Sequence, residues 1–110
     1  MKILLDENID IRFKNSFIEK HYAFTVKEMG WNGIRNGQLL RLLKEDNFDA
    51  WIVVDKNIPY QQNIKTLPCL VIVLDVFKNT LKHLQPLVPQ VLEVLKKEAD
   101  KKIVVIEEKI

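Results

Sequence analysis

The sequence is short of cysteine, of glycine and of long apolar runs, and each shortage excludes something. It holds one cysteine, so no internal disulfide can brace the fold. Cys69 lies beside an apolar stretch and reads as an inert, buried thiol of a reducing compartment. A membrane span needs roughly 18 or more consecutive apolar residues, and no run approaches that length. The first apolar run is stopped almost at once by Asp6 and Glu7, which reads as a strand rather than a signal peptide. A cytoplasmic location with no membrane partner is therefore expected. All three glycines fall within Met29–Gly37, which marks one loop. Seventeen Lys and Arg against fifteen Asp and Glu leave a net charge of +2. That balance tolerates a nucleic-acid partner without arguing for one. At 110 residues the chain is long enough for one domain, spanning 1–110, and too short for two.

What is present is an alternation of strand and helix. Lys2–Leu5, Ala23–Val26, Trp51–Val54, Cys69–Leu74 and Ile103–Ile106 are short apolar runs of the kind buried on both faces of a sheet. Ile9, Phe13 and Phe17 stand at i, i+4, i+8 and predict an amphipathic helix. A second helix is predicted after Asn36 as N-cap, with Leu39, Leu40, Leu42 and Leu43 on one face and Asp46-Asn47 closing it. A third helical region starts at Asn79-Thr80 and should break near Pro86 and Pro89. Its second half carries Val88, Val91, Leu92 and Leu95 on one face, available to the core or to a dimer. Lys96, Lys97, Lys101 and Lys102 alternate with Glu98 and Asp100 as a solvated helix end does. The pattern predicts a small three-layer α/β/α domain with a mostly parallel sheet.

Three of these strands run directly into an aspartate: Asp6, Asp55 and Asp75. Ligands of open α/β sheets sit at the carboxyl ends of the strands, so acids delivered there could converge on one site. Carboxylates gathered at one edge repel unless a cation sits among them. A hard divalent ion such as Mg²⁺ or Mn²⁺ is the usual answer. On that reading Asp6 and Asp55 are metal ligands and Glu7 is an outer partner or general base. Asn8 and Asn57 orient waters or phosphate oxygens, and Lys56 meets a phosphate as a point charge. The structural alternative is that Asp and Asn after a strand simply cap the next turn or helix, which suffices for Asp75. His21 and His83 lack a Cys or Ser partner and read as surface histidines. Trp31 could stack on a base, but a loop aromatic more often folds back onto the core.

Lys-Ile-Leu-Leu-Asp-Glu-Asn8, Lys-Glu-Met-Gly-Trp-Asn-Gly33, Arg-Asn-Gly-Gln-Leu-Leu40, Val-Val-Asp-Lys-Asn-Ile-Pro-Tyr-Gln-Gln-Asn63 and Pro-Leu-Val-Pro89 resemble the short stand-alone PIN-like proteins. The resemblance covers nearly the whole chain. It implies a parallel sheet, an acidic pocket for Mg²⁺ or Mn²⁺ and ribonuclease activity on RNA. Many PIN proteins are VapC-type toxins paired with an antitoxin protein, and many form homodimers. By this resemblance Asp6 matches the first-strand acid and Asp55 the first position of a late Asp-x-Asp motif, whose second position is Asn57 here. Asn36 and Gln38 stand where relatives often carry an Asp and a Glu. Together with Gln61 and Gln62 they make the expected substrate-binding surface rich in amides. Amide oxygens bring no charge, so the resemblance also admits a catalytically degenerate module that binds RNA, a nucleotide or a protein partner without cleavage.

Overall fold

The computed structural model describes residues 1–54, 67–97 and 103–109, with Asn36 described through its backbone alone. Five strands form one sheet: β1 (Lys2–Leu5), β2 (Tyr22–Thr25), β3 (Ala50–Val53), β4 (Leu70–Asp75) and β5 (Ile103–Glu107). The order is β2-β1-β3-β4-β5, and all four ladders are parallel. The reason is visible in the strands themselves. Leu4 and Trp51 face one way while Ile3, Leu5 and Ile52 face the other, and all are fully buried. A strand with no solvated face must be covered on both sides, which parallel crossovers through helices achieve.

Two apolar clusters result. One gathers Leu5, Ile52 and Ile72 with Phe13, Leu84, Val91 and Leu95. The other gathers Leu4, Trp51 and Val71 with Leu39, Leu43 and Phe48. Helical segments thus feed both clusters. The helix α1 (Asn36–Glu45) contributes Leu39 and Leu43 to the second, with Leu40 half-buried beside them; Leu42 is half-buried as well. After β4 the chain forms α2 (Leu81–Leu84), a 3-10 turn (Gln85–Leu87) and α3 (Val88–Lys97). Pro86 falls inside the 3-10 turn and Pro89 in the first turn of α3, where a missing N–H costs little. The Val88–Leu95 face is core: Val91 and Leu95 are buried and Val88 and Leu92 pack against the same cluster. It is therefore not a dimer surface. Lys96 and Lys97 are exposed as expected, while Lys101 and Lys102 lie outside the described residues.

Two local expectations are corrected. The Ile9–Phe17 segment is a 3-10 helix over Ile11–Ser16, not an amphipathic α-helix. Ile9, Phe13 and Phe17 are buried as their spacing requires, with the two phenyl rings edge to face at 5.1 Å. Ile11 and Ile18 fall off that face and are exposed. Asp10 starts the segment by accepting the Arg12 N–H at 2.9 Å and the Arg12 guanidinium at 2.6 Å. That charged bond holds the Asp10 carboxyl down at about 2. The second correction concerns α1, whose cap position is the extended Arg35; Asn36 is its first helical residue. The other end behaves as expected. Asn47 is left-handed at φ 58, Phe48 N–H reaches the Leu43 carbonyl at 3.0 Å, and Asn47 N–H reaches that of Lys44 at 3.2 Å. This pair of bonds is a Schellman closure, with Phe48 and Leu43 supplying its apolar contact. Trp31 folds onto Phe48 with ring centroids 5.8 Å apart, the core reading of that residue. Cys69 is buried, as expected of a strand-flanking thiol.

Candidate functional site

In this strand order the chain goes from β1 to β2 on one side, then crosses back to β3 on the other side of β1. The reversal point lies between the carboxyl ends of β1 and β3, where an open parallel sheet leaves a crevice for a ligand. Asp6 stands there. It is half-buried, and its N–H donates to the Ile52 carbonyl at 3.0 Å, tying the end of β1 to β3. Its own carbonyl accepts from Ile9 at 3.0 Å, which turns the chain and aims Glu7 and Asn8 outward, both exposed. Glu7 is already engaged: its Oε2 accepts the Gly33 N–H at 3.1 Å and so ties the glycine-rich loop to β1. Gly33 holds φ +76, a conformation glycine adopts without strain. The Asn8 carbonyl is gripped by Asn79 Nδ2 at 2.6 Å, which links this turn to the segment entering α2.

A cleft of about 270 Å³ opens beside these residues, lined by Asp6, Glu7, Asn8, Thr25, Lys27 and Asn32 among others. A second hollow of about 520 Å³ shares Ile11, Thr25 and Lys27 with it and ends at Lys14 and Glu28. The wall between β2 and this groove is a reciprocal lock. Thr25 N–H donates to Glu28 Oε1 at 3.1 Å, and Glu28 N–H donates to Thr25 Oγ1 at 3.1 Å. Helix starts use the same Thr-x-x-Glu pairing, here spent on a turn. Lys14 closes the lock with 2.8 and 2.9 Å bonds to the two Glu28 oxygens and holds that carboxyl below its ordinary value.

The expected site residues divide as follows. Asp6, Glu7 and Asn8 come together at the cleft. Gln38 is exposed in the first turn of α1. The other end of α1 lies at the opposite sheet edge, where Lys2 Nζ donates to the Asp46 carbonyl at 2.7 Å. Asn36 and Gln38 therefore open the helix at the same edge as Asp6. Asp75 is at that edge too, but β3 separates it from Asp6, and it pairs in register with Glu107. Asp55, Lys56, Asn57, Gln61 and Gln62 lie outside the described residues. Among the described residues no group of three His, Cys, Asp or Glu side chains could hold a metal ion.

The histidines are not plain surface residues; both are half-buried. His83 Nδ1 lies 2.7 Å from Glu108 Oε2, and Glu108 Oε1 accepts the Phe77 N–H at 2.9 Å. The Phe77 N–H, then His83, hold the Glu108 carboxyl below its ordinary value. Burial, with the N-terminal charge behind it, depresses the His21 pKa. Sequence reasoning missed Ile11, Thr25, Lys27 and Asn32 as cleft residues. The Thr25-x-x-Glu28 spacing was a usable sign of the turn, whereas nothing local marks Ile11 or Lys27. No helix among the described residues is long and apolar enough to cross a membrane. Comparisons with protein-family models, with curated proteins and with solved structures returned no match.

Proposed function

We propose that the chain is a PIN-like, divalent-metal-dependent ribonuclease acting at the carboxyl ends of β1 and β3, with Asp6 and Asp55 as the metal-binding carboxylates. The observation that carries this reading is Asp6: a half-buried acid at the reversal point of a parallel sheet, beside a cleft. The donor set fits a hard cation. Among the described residues the cleft offers carboxylate and amide oxygens and no thiol or imidazole, and Mg²⁺ takes one or two carboxylates and keeps several waters. Bound there, Mg²⁺ or Mn²⁺ supplies an acidified water and stabilises charge on a phosphodiester. The chain's own residues do the positioning. Asn8 and Asn57 orient waters or phosphate oxygens, and Lys56 meets a phosphate. Asn36, Gln38, Gln61 and Gln62 give amide contacts to RNA. Glu7, tethered to Gly33, acts from outside the ligand set. A role as the toxin of a toxin–antitoxin pair belongs to the same proposal.

The test is titration of Mn²⁺ into the wild type and Asp6→Asn, followed by NMR line broadening, with RNA cleavage assayed in parallel. Broadening confined to the cleft and cleavage of RNA, both lost in the variant, are expected. Wild-type protein that binds no Mn²⁺, or a variant that still cleaves, would sink the assignment. Two observations favour a second reading, a module that binds without cutting. Glu7 already accepts a backbone N–H, and the first turn of α1 has no acidic residue. A metal-dependent cut by purified wild-type protein would remove that reading.

A further inference from the structure

The turn that leads into β2 and the side of α3 enclose a cavity of about 410 Å³, lined among the described residues by Lys20, His21, Leu92, Glu93 and Lys96. The geometry points to this cavity as a binding site for a phosphate dianion, with Lys20, Lys96 and His21 meeting its oxygens. His21 precedes β2, Asp6 follows β1, and the two strands are parallel, so the cavity and the acidic cleft lie at opposite ends of the sheet. The phosphate site and the ribonuclease reading therefore stand apart, and neither rests on the other.

The balance of charge around the cavity carries the assignment. Glu93 is the one carboxylate among the described lining residues, and Lys97 already meets it at 3.1 Å. Lys20 and Lys96 are exposed and belong to no ion pair among the described residues. Two ammonium groups thus border the cavity without a counter-charge. His21 adds a third donor. The Met1 ammonium has no lone pair, so it donates to His21 Nδ1 at 3.3 Å and leaves the proton of the neutral ring on Nε2. That Nε2–H has no acceptor among the described residues. Burial, then the Met1 ammonium and Lys20, depress the His21 pKa, so the ring itself registers the positive field. A phosphate group near neutral pH carries close to two negative charges and offers at least three acceptor oxygens. The two ammonium groups match its charge, and the three donors match its oxygens. A carboxylate, with a single charge, would leave one ammonium unmatched. Leu92 adds a half-buried apolar wall, and the cavity falls within the range of small-ligand sites, about 300 to 1,000 Å³.

The experiment titrates inorganic phosphate, glycerol phosphate and glycerol into the full chain at fixed ionic strength. Binding is read by NMR at the His21 ring and at the Leu92, Glu93 and Lys96 amides. Saturable shifts with both phosphates and none with glycerol are expected. Tighter binding of the ester assigns a small phosphomonoester resting on Leu92, and equal binding assigns free phosphate. As the dianion offsets the Met1 and Lys20 charges, the His21 pKa should rise towards its ordinary 6.5 on saturation. Lys20→Gln and Lys96→Gln should each weaken binding about fivefold, the upper range for one exposed charge contact. Lys82→Gln, at an exposed α2 position, is the control and should bind as wild type does. Amide spectra confirm that each variant folds. No saturable shift with either phosphate in the millimolar range, or an equal loss with Lys82→Gln, overturns the site. Asp6→Asn should bind both phosphates as wild type does. Loss of the shifts in that variant would place the phosphate at the carboxyl edge and overturn the site as well.

Discussion

Two carboxylates at the flanks of the sheet's carboxyl edge, Glu28 after β2 and Glu108 after β5, contrast with Asp6 and Glu7 between them. Glu28 has both oxygens committed, to Thr25 and Lys14. Glu108 has both committed, to Phe77 and His83. Each fastens a strand end to a neighbouring segment. Asp6 and Glu7 instead line an open cleft. An acid that follows a strand is therefore not by itself the mark of a site. Glu7 too spends Oε2 on the Gly33 N–H, so what distinguishes the candidates is their place beside the reversal point between β1 and β3. The two flanks also differ from each other. The Glu28 side, with Lys14, leaves a groove beside it, whereas the Glu108 side draws β4, β5 and α2 together.

The largest way to break the comparison is to remove the packing under each flank. Phe13→Ala beneath the groove should cost about 3–5 kcal/mol, and Leu84→Ala beneath the Glu108 side about 2–5 kcal/mol, read by urea unfolding.

Acid sharpens the contrast with a smaller effect. Glu28 and Glu108 are both held below the ordinary 4.5, Glu28 mainly by the Lys14 ammonium and Glu108 mainly by the Phe77 N–H. A carboxyl whose folded pKa lies below its unfolded one adds stability above the unfolded value. That stability is lost as pH falls through the folded pKa. Urea unfolding should thus show a stability loss that begins near pH 4.5 and deepens with further acid. Glu28→Gln and Glu108→Gln should each shrink that loss while lowering stability at pH 7. The Glu108 variant should lose more at pH 7, since its side chain is 14 % exposed against 43 % for Glu28. Equal acid limbs in wild type and both variants would show that neither carboxylate is fastened as described. The smallest effect is Asp75→Asn. With β3 between it and Asp6, the change should leave Mn²⁺ broadening at the cleft as in wild type. Loss of that broadening would move the site across β3.

Much of the fold was legible because it depends on residues close together in the chain. Runs such as Ile3–Leu5 and Leu70–Leu74 are apolar at consecutive positions, as suits a strand covered on both faces. The Asp46-Asn47 stop was legible because Asn accepts a left-handed conformation more readily than most residues. The Ile11–Ser16 segment was misjudged in type, since Ile9 and Phe17, two of the three residues whose spacing suggested an α-helix, flank the 3-10 helix rather than lie in it. The site was half legible. Asp6 could be placed from its strand, but its neighbours Thr25 and Lys27 come from β2 and the turn after it, across a ladder. His83 and Glu108 are the same case: 25 positions apart in sequence and 2.7 Å apart in space.

The sheet order has one more consequence, for how the chain reaches this structure. With every ladder among the described residues parallel, none of these strands is joined to its partner by a hairpin, so none of these pairings can form as a local event. Even the nearest partners, Lys2 with Tyr22 and Ala50 with Leu70, must close a loop through a whole crossover, and Ile3 waits for Ala50. Each rung is won against the entropy of bringing distant segments together before any contact repays it. Of these ladders, β1 with β3 closes the longest loop, from Ile3 to Ala50. Until those two strands meet, Asp6 has no Ile52 carbonyl to donate to and the crevice beside it does not exist.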